Sequence, residues 1–247
     1  MGISNEEVFD LSVIIPTFNE ENNASVMLKN LTRKLNETNL KYEIILVNDG
    51  SKDNTLYVLK QLKDSYSNIK IISYDENKGK GYAVRSGILE SEGEIVMYID
   101  GDLDISPDII PEYIEQLKNY DIVIGSKRVS NADVKDSISR KILSKAFSII
   151  VKIGMNLKIK DTQVGLKIGN GKQMRKIFKI LSINGFAFDV ELLTIATLLK
   201  LKIKEMPIEL NLTRQFSFIH ASEMFLDTMK IMYNRRIRNT YQKKLSV

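Results

Sequence analysis

The chain has 247 residues, no cysteine and a single histidine, His220. Disulfides, zinc–thiolate centres and cysteine nucleophiles are excluded, and histidine triads have nothing to be built from. The net charge of +5 conceals an asymmetry: residues 1–120 carry 12 basic and 21 acidic side chains, residues 121–180 carry 14 and 4, and residues 181–247 carry 10 and 6.

In chain order, Leu11 to Ile15 reads as a buried strand stopped by Pro16. The polar turn Thr17-Phe18-Asn19-Glu20-Glu21 then opens a helix carrying Val26, Leu28, Leu31 and Leu35. Tyr42 to Val47 is a second strand, ending in Asn48-Asp49-Gly50-Ser51; Ser51 or Asp53 suits the cap of a helix running to about Ser65. Ile69 to Tyr74 is a third strand, and Asn77-Lys78-Gly79-Lys80-Gly81 leads into a helix through Arg85 to about Glu90. Ile95 to Ile99 is a fourth strand, a short helix begins near Pro107, and Asp121 to Gly125 is a fifth strand. Ser137 to Leu157 has the pattern of a basic amphipathic helix, suited either to an anionic membrane surface or to packing with a solvated basic face. Asp161 to Ile168 is a loop entering a strand, Phe186 to Leu199 an apolar helix with Asp189 and Glu191 near its start, and Ile203 to Leu210 a last strand. From Glu223 the chain is helical and ends in Arg235, Arg236, Arg238, Lys243 and Lys244.

Strands alternating with helices at this spacing predict an α/β fold, a mostly parallel sheet with helices on both faces. Right-handed crossovers put the loops Thr17–Glu20, Asn48–Ser51, Asn77–Gly81 and Asp100–Asp104 on one edge, a place for a nucleotide-sized ligand. The fourth strand ends in Asp100, Asp102 and Asp104, three like charges at alternate positions. They repel one another unless the loop is well solvated or a cation sits among them. Hard Mg²⁺ or Mn²⁺ prefers carboxylate and phosphate oxygens, which makes the three aspartates candidate metal ligands.

With no repeat or flexible linker, 1–247 is expected to form a single domain: a nucleotide-binding half (1–125), an acceptor-binding half (126–220) and a basic helical tail (221–247). No stretch without a charged residue exceeds the nine residues of Leu11 to Asn19, against the roughly 20 that span a bilayer. With its acidic N-terminus, the chain is expected to be cytoplasmic and peripheral at the cytoplasmic face of a membrane. No nucleic-acid recognition module is visible, so the basic half points to an anionic membrane surface or a phosphorylated substrate.

Together these residues resemble the family 2 glycosyltransferases of the GT-A fold, within them the polyprenyl (dolichyl) phosphate sugar synthases. The resemblance runs from about Leu11 to Leu210. It is carried by Ile15-Pro16-Thr17-Phe18-Asn19-Glu20, Val47-Asn48-Asp49-Gly50-Ser51, Asn77-Lys78-Gly79-Lys80-Gly81, Asp100-Gly101-Asp102 and Gly125-Ser126-Lys127-Arg128. Asp161-Thr162-Gln163-Val164-Gly165-Leu166-Lys167 and Phe186-Ala187-Phe188-Asp189-Val190-Glu191-Leu192 are similar to the dolichyl-phosphate glucosyltransferase branch.

The resemblance implies metal-dependent, inverting transfer of a sugar from a nucleotide diphosphate, UDP before GDP, to a polyprenyl phosphate. Pro16, Thr17, Asn19, Glu20, Asp49, Lys80, Asp100 and Gly101 are then the nucleotide-binding set, with Asp49 and Glu20 offering acceptors to uracil or ribose. Asn19 and Glu20 also suit a simple helix cap. Gly79 and Gly81 let backbone N–H groups approach a diphosphate, with Lys80 and Arg85 adding charge, although a turn with solvated lysines has the same pattern. Lys127, Arg128, Arg140 and Ser144 match the acceptor-phosphate positions, and Lys127 stands where the family usually has arginine. Lys167 and Arg214 are further donor-phosphate candidates. Asp102, Arg140 and Asp189 are the candidate catalytic residues, Asp189 either as a base or as a sugar-positioning group. Two rivals stand beside this: a transferase acting on a hydroxyl acceptor with Asp189 as base, and a sugar-nucleotide-binding membrane protein without catalysis.

Overall fold

The computed structural model describes residues 9–127, 154–155, 157–208 and 218–245. Among the described residues seven strands form one sheet in the order β3-β2-β1-β4-β6-β5-β7. They are β1 (Leu11–Thr17), β2 (Tyr42–Asp49), β3 (Ile69–Tyr74), β4 (Ile95–Ile99), β5 (Ile122–Ser126), β6 (Leu166–Asn170) and β7 (Ile203–Pro207). All neighbours are parallel except β6, which runs antiparallel to both β4 and β5. The helices are α1 (Ala24–Asn36), α2 (Thr55–Ser65), α3 (Lys80–Leu89), α4 (Ile110–Gln116, after a 3₁₀ turn at Pro107–Ile109), α5 (Gly171–Ile180), α6 (Phe188–Leu198), α7 (Phe218–Arg236) and α8 (Thr240–Leu245).

The central strands β1, β4 and β5 are largely apolar because both faces are covered, whereas the edge strands β3 and β7 are half exposed and carry Lys70, Lys204 and Glu205. Successive residues point to opposite faces. Ile14, Ile45, Val47, Val96 and Tyr98 meet α3, α5 and α6, while Val13, Ile15, Ile44, Leu46 and Met97 meet α1 and α4. Truncating a fully buried member such as Leu31 to alanine costs about 2–5 kcal/mol.

Pro16 does not stop β1, which continues to Thr17. The pairing with β4 ends at Ile14↔Tyr98 while that with β2 continues, so proline sits where one neighbour has already diverged. Val26 is half exposed, and Met27 takes the buried position instead. The last strand ends at Pro207, with Ile208 buried just beyond it. Between Ile168 and Phe186, where the sequence pattern assigned no helix, the structure has α5. Its cap is Asn170, whose Oδ1 accepts the Gln173 N–H at 3.2 Å, and Met174, Ile177 and Phe178 form its buried face. Of the predicted helix Ser137–Leu157 only residues 154, 155 and 157 are described. Met155 and Leu157 are buried, and a Cβ at Gly154 would lie 2.6 Å from the Met232 sulfur on α7.

This topology places the site. β1, β2, β3 and β4 end on one edge, and antiparallel β6 starts there, which brings the Asp161–Gly165 loop beside Asp100. α5 then runs back toward that edge and delivers the 181–187 loop to the start of α3.

Candidate active site

The first two loops are tied into one unit. Asn19 adopts a left-handed backbone (φ 55°), which asparagine tolerates. Its N–H donates to Ser51 Oγ at 3.0 Å, and its Oδ1 accepts the Lys52 N–H at 2.9 Å. The Glu20 N–H donates to Thr55 Oγ1 at 2.8 Å, and Asp53 accepts the N–H groups of Glu21 and Thr55 at 3.2 and 3.0 Å. Thr17 Oγ1 donates to the Val47 carbonyl at 3.1 Å. Glu20 is buried, and its Oε2 accepts from Asn23 Nδ2 at 2.8 Å. The β1–α1 loop is thus held by the β2–α2 loop, and Ser51, Asp53 and Thr55 supply that brace. Of these, the sequence singled out Ser51 and Asp53 only as caps.

Asp49, at the end of β2, holds the glycine-rich loop. Its two oxygens accept the N–H groups of Lys78 and Gly79 at 2.8 and 3.0 Å. Burial pushes its carboxyl up, against the pull of those two bonds. The glycines therefore serve packing. A Cβ at Gly79, whose φ is 96°, would lie 2.6 Å from the Asn184 carbonyl oxygen, and one at Gly81 would lie 2.7 Å from that of Ile183. Arg85 is turned to the same loop, donating to Leu181 O and Asn184 Oδ1 at 3.0 and 3.1 Å. Arg85 and the Gly79 N–H, both expected near a diphosphate, are engaged within the protein in this structure.

The aspartate loop is built differently. The Asp100 carboxylate holds the Lys80 ammonium at 2.6 Å from Oδ1 and 2.8 Å from Oδ2. Burial works to lower the Lys80 pKa, but Asp100, Asp189 and Asp102 outweigh it and the net shift is upward. Beneath Asp100 lies Gly165, where a Cβ would come within 1.8 Å of Oδ2, and the Asp100 N–H donates to the Gly165 carbonyl at 2.9 Å. Gly101 backs onto Pro16. Asp102 is pushed up to about 6 by burial and by the charges of Asp100 and Asp104. Between the last two, Leu103 is held in the left-handed region (φ 63°), a strained conformation for leucine.

Among the described residues no three acidic or histidine side chains converge as a ready metal cage. Of the three aspartates expected to hold a cation, Asp100 is held by Lys80 in this structure. The donor set still fits Mg²⁺ or Mn²⁺. Asp102 is a carboxylate under repulsion from its neighbours, and such ions are commonly held by one or two carboxylates completed by substrate phosphates.

Behind this loop is a buried charge cluster. Lys167 and Asp189 are 2.7 Å apart with side chains 1% and 3% exposed. The Lys167 ammonium also donates to the Val164 carbonyl at 2.8 Å, and the Tyr98 hydroxyl donates to Asp189 Oδ1. Burial and the Asp189 charge push the Tyr98 phenol up. Lys167, expected near a donor phosphate, is thus spent on Asp189 in the interior. Two residues along α6, buried Glu191 accepts from Ser182 and Ile183 N–H and from Tyr241 Oη, fixing the 181–184 loop and α8 together. Lys127 lies at the end of β5, its N–H donating to Asp161 Oδ2 at 3.2 Å. Arg128, Arg140, Ser144 and Arg214 lie outside the described residues.

The sequence profile described as glycosyl transferase family 2 matches residues 12–179. A dolichyl-phosphate beta-glucosyltransferase of Saccharomyces cerevisiae is 35% identical over 82% of this chain and 67% of its own length. Enzymes of the same name are 34% identical in Dictyostelium discoideum (90% of this chain, 74% of that one) and 33% in Trichomonas vaginalis (81% and 65%). The chain thus spans about two thirds to three quarters of the length of these relatives. Among solved structures, glucosyl-3-phosphoglycerate synthase from Mycobacterium tuberculosis with UDP superposes with a TM-score of 0.69 at 16% identity, over 92% of this chain and 80% of that one. The same enzyme with Mn²⁺, UDP-glucose and phosphoglyceric acid gives 0.69, 16%, 92% and 79%. At that identity the likeness is one of fold, and it is the GT-A-like α/β fold that the motifs implied.

Proposed function

The chain belongs to glycosyl transferase family 2, and from that premise we propose that it transfers glucose from UDP-glucose to a polyprenyl phosphate of the dolichyl type. The observation that carries this is the 33–35% identity, across four fifths or more of the chain, to enzymes named dolichyl-phosphate beta-glucosyltransferase. The geometry supports it. The braced loops around Asn19, Glu20 and Asp49 form the nucleoside end of the site, and Lys80, Asp100 and Asp102 form the diphosphate end. When bound at Asp102, Mg²⁺ or Mn²⁺ supplies charge neutralisation to the leaving diphosphate. Lys80, held by Asp100, adds a fixed cation beside it.

A phosphate monoester has a second pKa of about 6, so the acceptor oxygen is ionised near neutral pH and needs no base. It attacks C1 of glucose as the bond from C1 to the UDP oxygen breaks, in a single inverting displacement. Buried Asp189, held by Lys167 and Tyr98, suits a positioning role rather than that of a base. Lys127, with Arg128, Arg140 and Ser144, is assigned to the acceptor phosphate, and residues 126–220 to the acceptor half. The reaction runs at the cytoplasmic face of a membrane.

The test is a transfer assay with Mn²⁺ or Mg²⁺, a panel of UDP- and GDP-sugars and a short polyprenyl phosphate, with the product extracted into organic solvent. Label in the lipid phase from UDP-glucose is expected. Donor hydrolysis without lipid product, or transfer to hydroxyl acceptors alone, contradicts it.

A further inference from the structure

Helix α7 is apolar on two sides. Thr228 and Ile231 are fully buried against the body, while Phe225, Leu226, Met229 and Tyr233 are 44, 68, 42 and 47% exposed. At about 100° per residue these four fall within an arc of roughly 100°, opposite the buried pair. A helix on a water-facing surface is ordinarily polar there. Ile237, 69% exposed, extends the stripe just past the helix.

The stripe adjoins positive charge. From Thr228 to Leu245 the chain has six lysines and arginines and no acidic residue. Arg238, Lys243 and Lys244 join Lys179, Ile180 and Thr240 in lining a shallow groove of about 650 Å³. The groove is anchored to the body, since Lys244 Nζ donates to the Ile180 carbonyl at 3.3 Å and Tyr241 Oη to Glu191 at 2.8 Å. Helix α7 in turn leads toward the site through the 185–186 turn. A Cβ at Gly185 would lie 3.1 Å from Asp227 Oδ2 on α7, and the ring of Phe186, itself 39% exposed, lies 5.9 Å from the Lys80 ammonium.

We propose that the exposed face of α7 and the basic α8 groove seat the protein on an anionic phospholipid surface, with Phe186 at the end nearest Lys80 and Asp100. The inference rests on the polyprenyl-phosphate acceptor proposed above and names the surface that brings the catalytic edge to it. Apolar side chains flanked by lysine and arginine match the boundary between acyl chains and anionic headgroups. A second copy of the chain meeting the same face would bring two basic clusters together, which like charge disfavours. No helix among the described residues is long and apolar enough to cross a membrane.

The test is co-sedimentation of the full chain with vesicles of phosphatidylcholine alone or mixed with phosphatidylserine. The unsubstituted protein is compared with two double variants, Leu226→Ser with Met229→Ser and Arg238→Ser with Lys243→Ser. Binding to the mixed vesicles is expected to weaken with salt. Partitioning should drop about fivefold per cation removed and about tenfold or more for the apolar pair. Transfer to acceptor embedded in vesicles should fall in parallel, while transfer to a short detergent-dispersed acceptor stays unchanged. Unaltered partitioning of both variants overturns the proposal. So does a dimer that the apolar pair converts to monomer with vesicle binding intact. If vesicle binding behaves as described but no polyprenyl phosphate is glycosylated, the functional assignment falls and the docking surface stands.

Discussion

Asp49 is the last residue of β2 and Asp102 follows β4 by three residues, on the same edge of the same sheet, and their surroundings treat them in opposite ways. Asp49 is buried with both oxygens accepting backbone N–H groups, and the neighbouring Asn19, Ser51, Asp53 and Thr55 close a similar set of bonds. Asp102 accepts one backbone N–H, from Asp104 at 3.2 Å, in a loop containing a left-handed leucine, under repulsion that lifts its carboxyl to about 6. One loop is complete as folded. The other is a carboxylate kept out of balance, a cost that folding alone does not require and that a bound cation would remove.

The largest expected effect breaks that second loop. Asp102→Asn should lower sugar transfer at least about a thousandfold, the scale of losing a central charge-stabilising group, in the assay described above. The same change should stabilise the metal-free protein by about 1–3 kcal/mol, or about 2–8 °C in melting temperature, because the repulsion goes with the charge. A carboxyl whose folded pKa exceeds its unfolded value favours folding when protonated. The metal-free parent should therefore gain stability as pH falls from about 6 toward the ordinary value of 3.8, and the Asp102→Asn variant should show a flatter dependence.

Next is the buried pair behind the loop. Lys167→Met leaves Asp189 charged in the interior and should cost about 3–5 kcal/mol by denaturant unfolding. Adding Asp189→Leu should recover most of it. Gly165→Ala sharpens the contrast from the other side. Its methyl would occupy the place of the Asp100 carboxylate, so transfer should fall about ten- to a hundredfold as the Lys80–Asp100 pair shifts. Gly125→Ala, against Val164 and Ile208, should affect stability more than turnover. Smallest is Asp53→Ala, which removes the brace of the complete loop. It should cost about 0.5–2 kcal/mol and raise the KM for donor with little change in kcat.

Much of this architecture was legible in the sequence because it depends on local patterns. Apolar runs marked β1 to β5, and alternation with helices implied the parallel sheet and the edge where Asn19, Asp49, Lys80 and Asp102 meet. What escaped depends on long-range partners. Gly79 and Gly81 look like a phosphate loop until Asn184 and Ile183, about a hundred residues on, are seen against them. Lys167 reads as a free cation, and only the antiparallel pairing of β6 with β4 sets it opposite Tyr98 and next to Asp189. Helix α5 carried a visible signal, Asn170 followed by Met174, Ile177 and Phe178, within a stretch where basic residues dominate the pattern. The apolar stripe on α7 could not be told from a buried face, since only packing decides which of the apolar positions of a helix meet the core.

The most direct test of the incomplete loop is to titrate Mn²⁺, followed by electron paramagnetic resonance, into the protein with and without UDP, for the parent chain and for Asp102→Asn. One Mn²⁺ bound per chain when UDP is present, and lost in the variant, is the expected result. Equal Mn²⁺ binding by the two proteins, or none by either with UDP bound, would contradict the assignment of Asp102 to the cation.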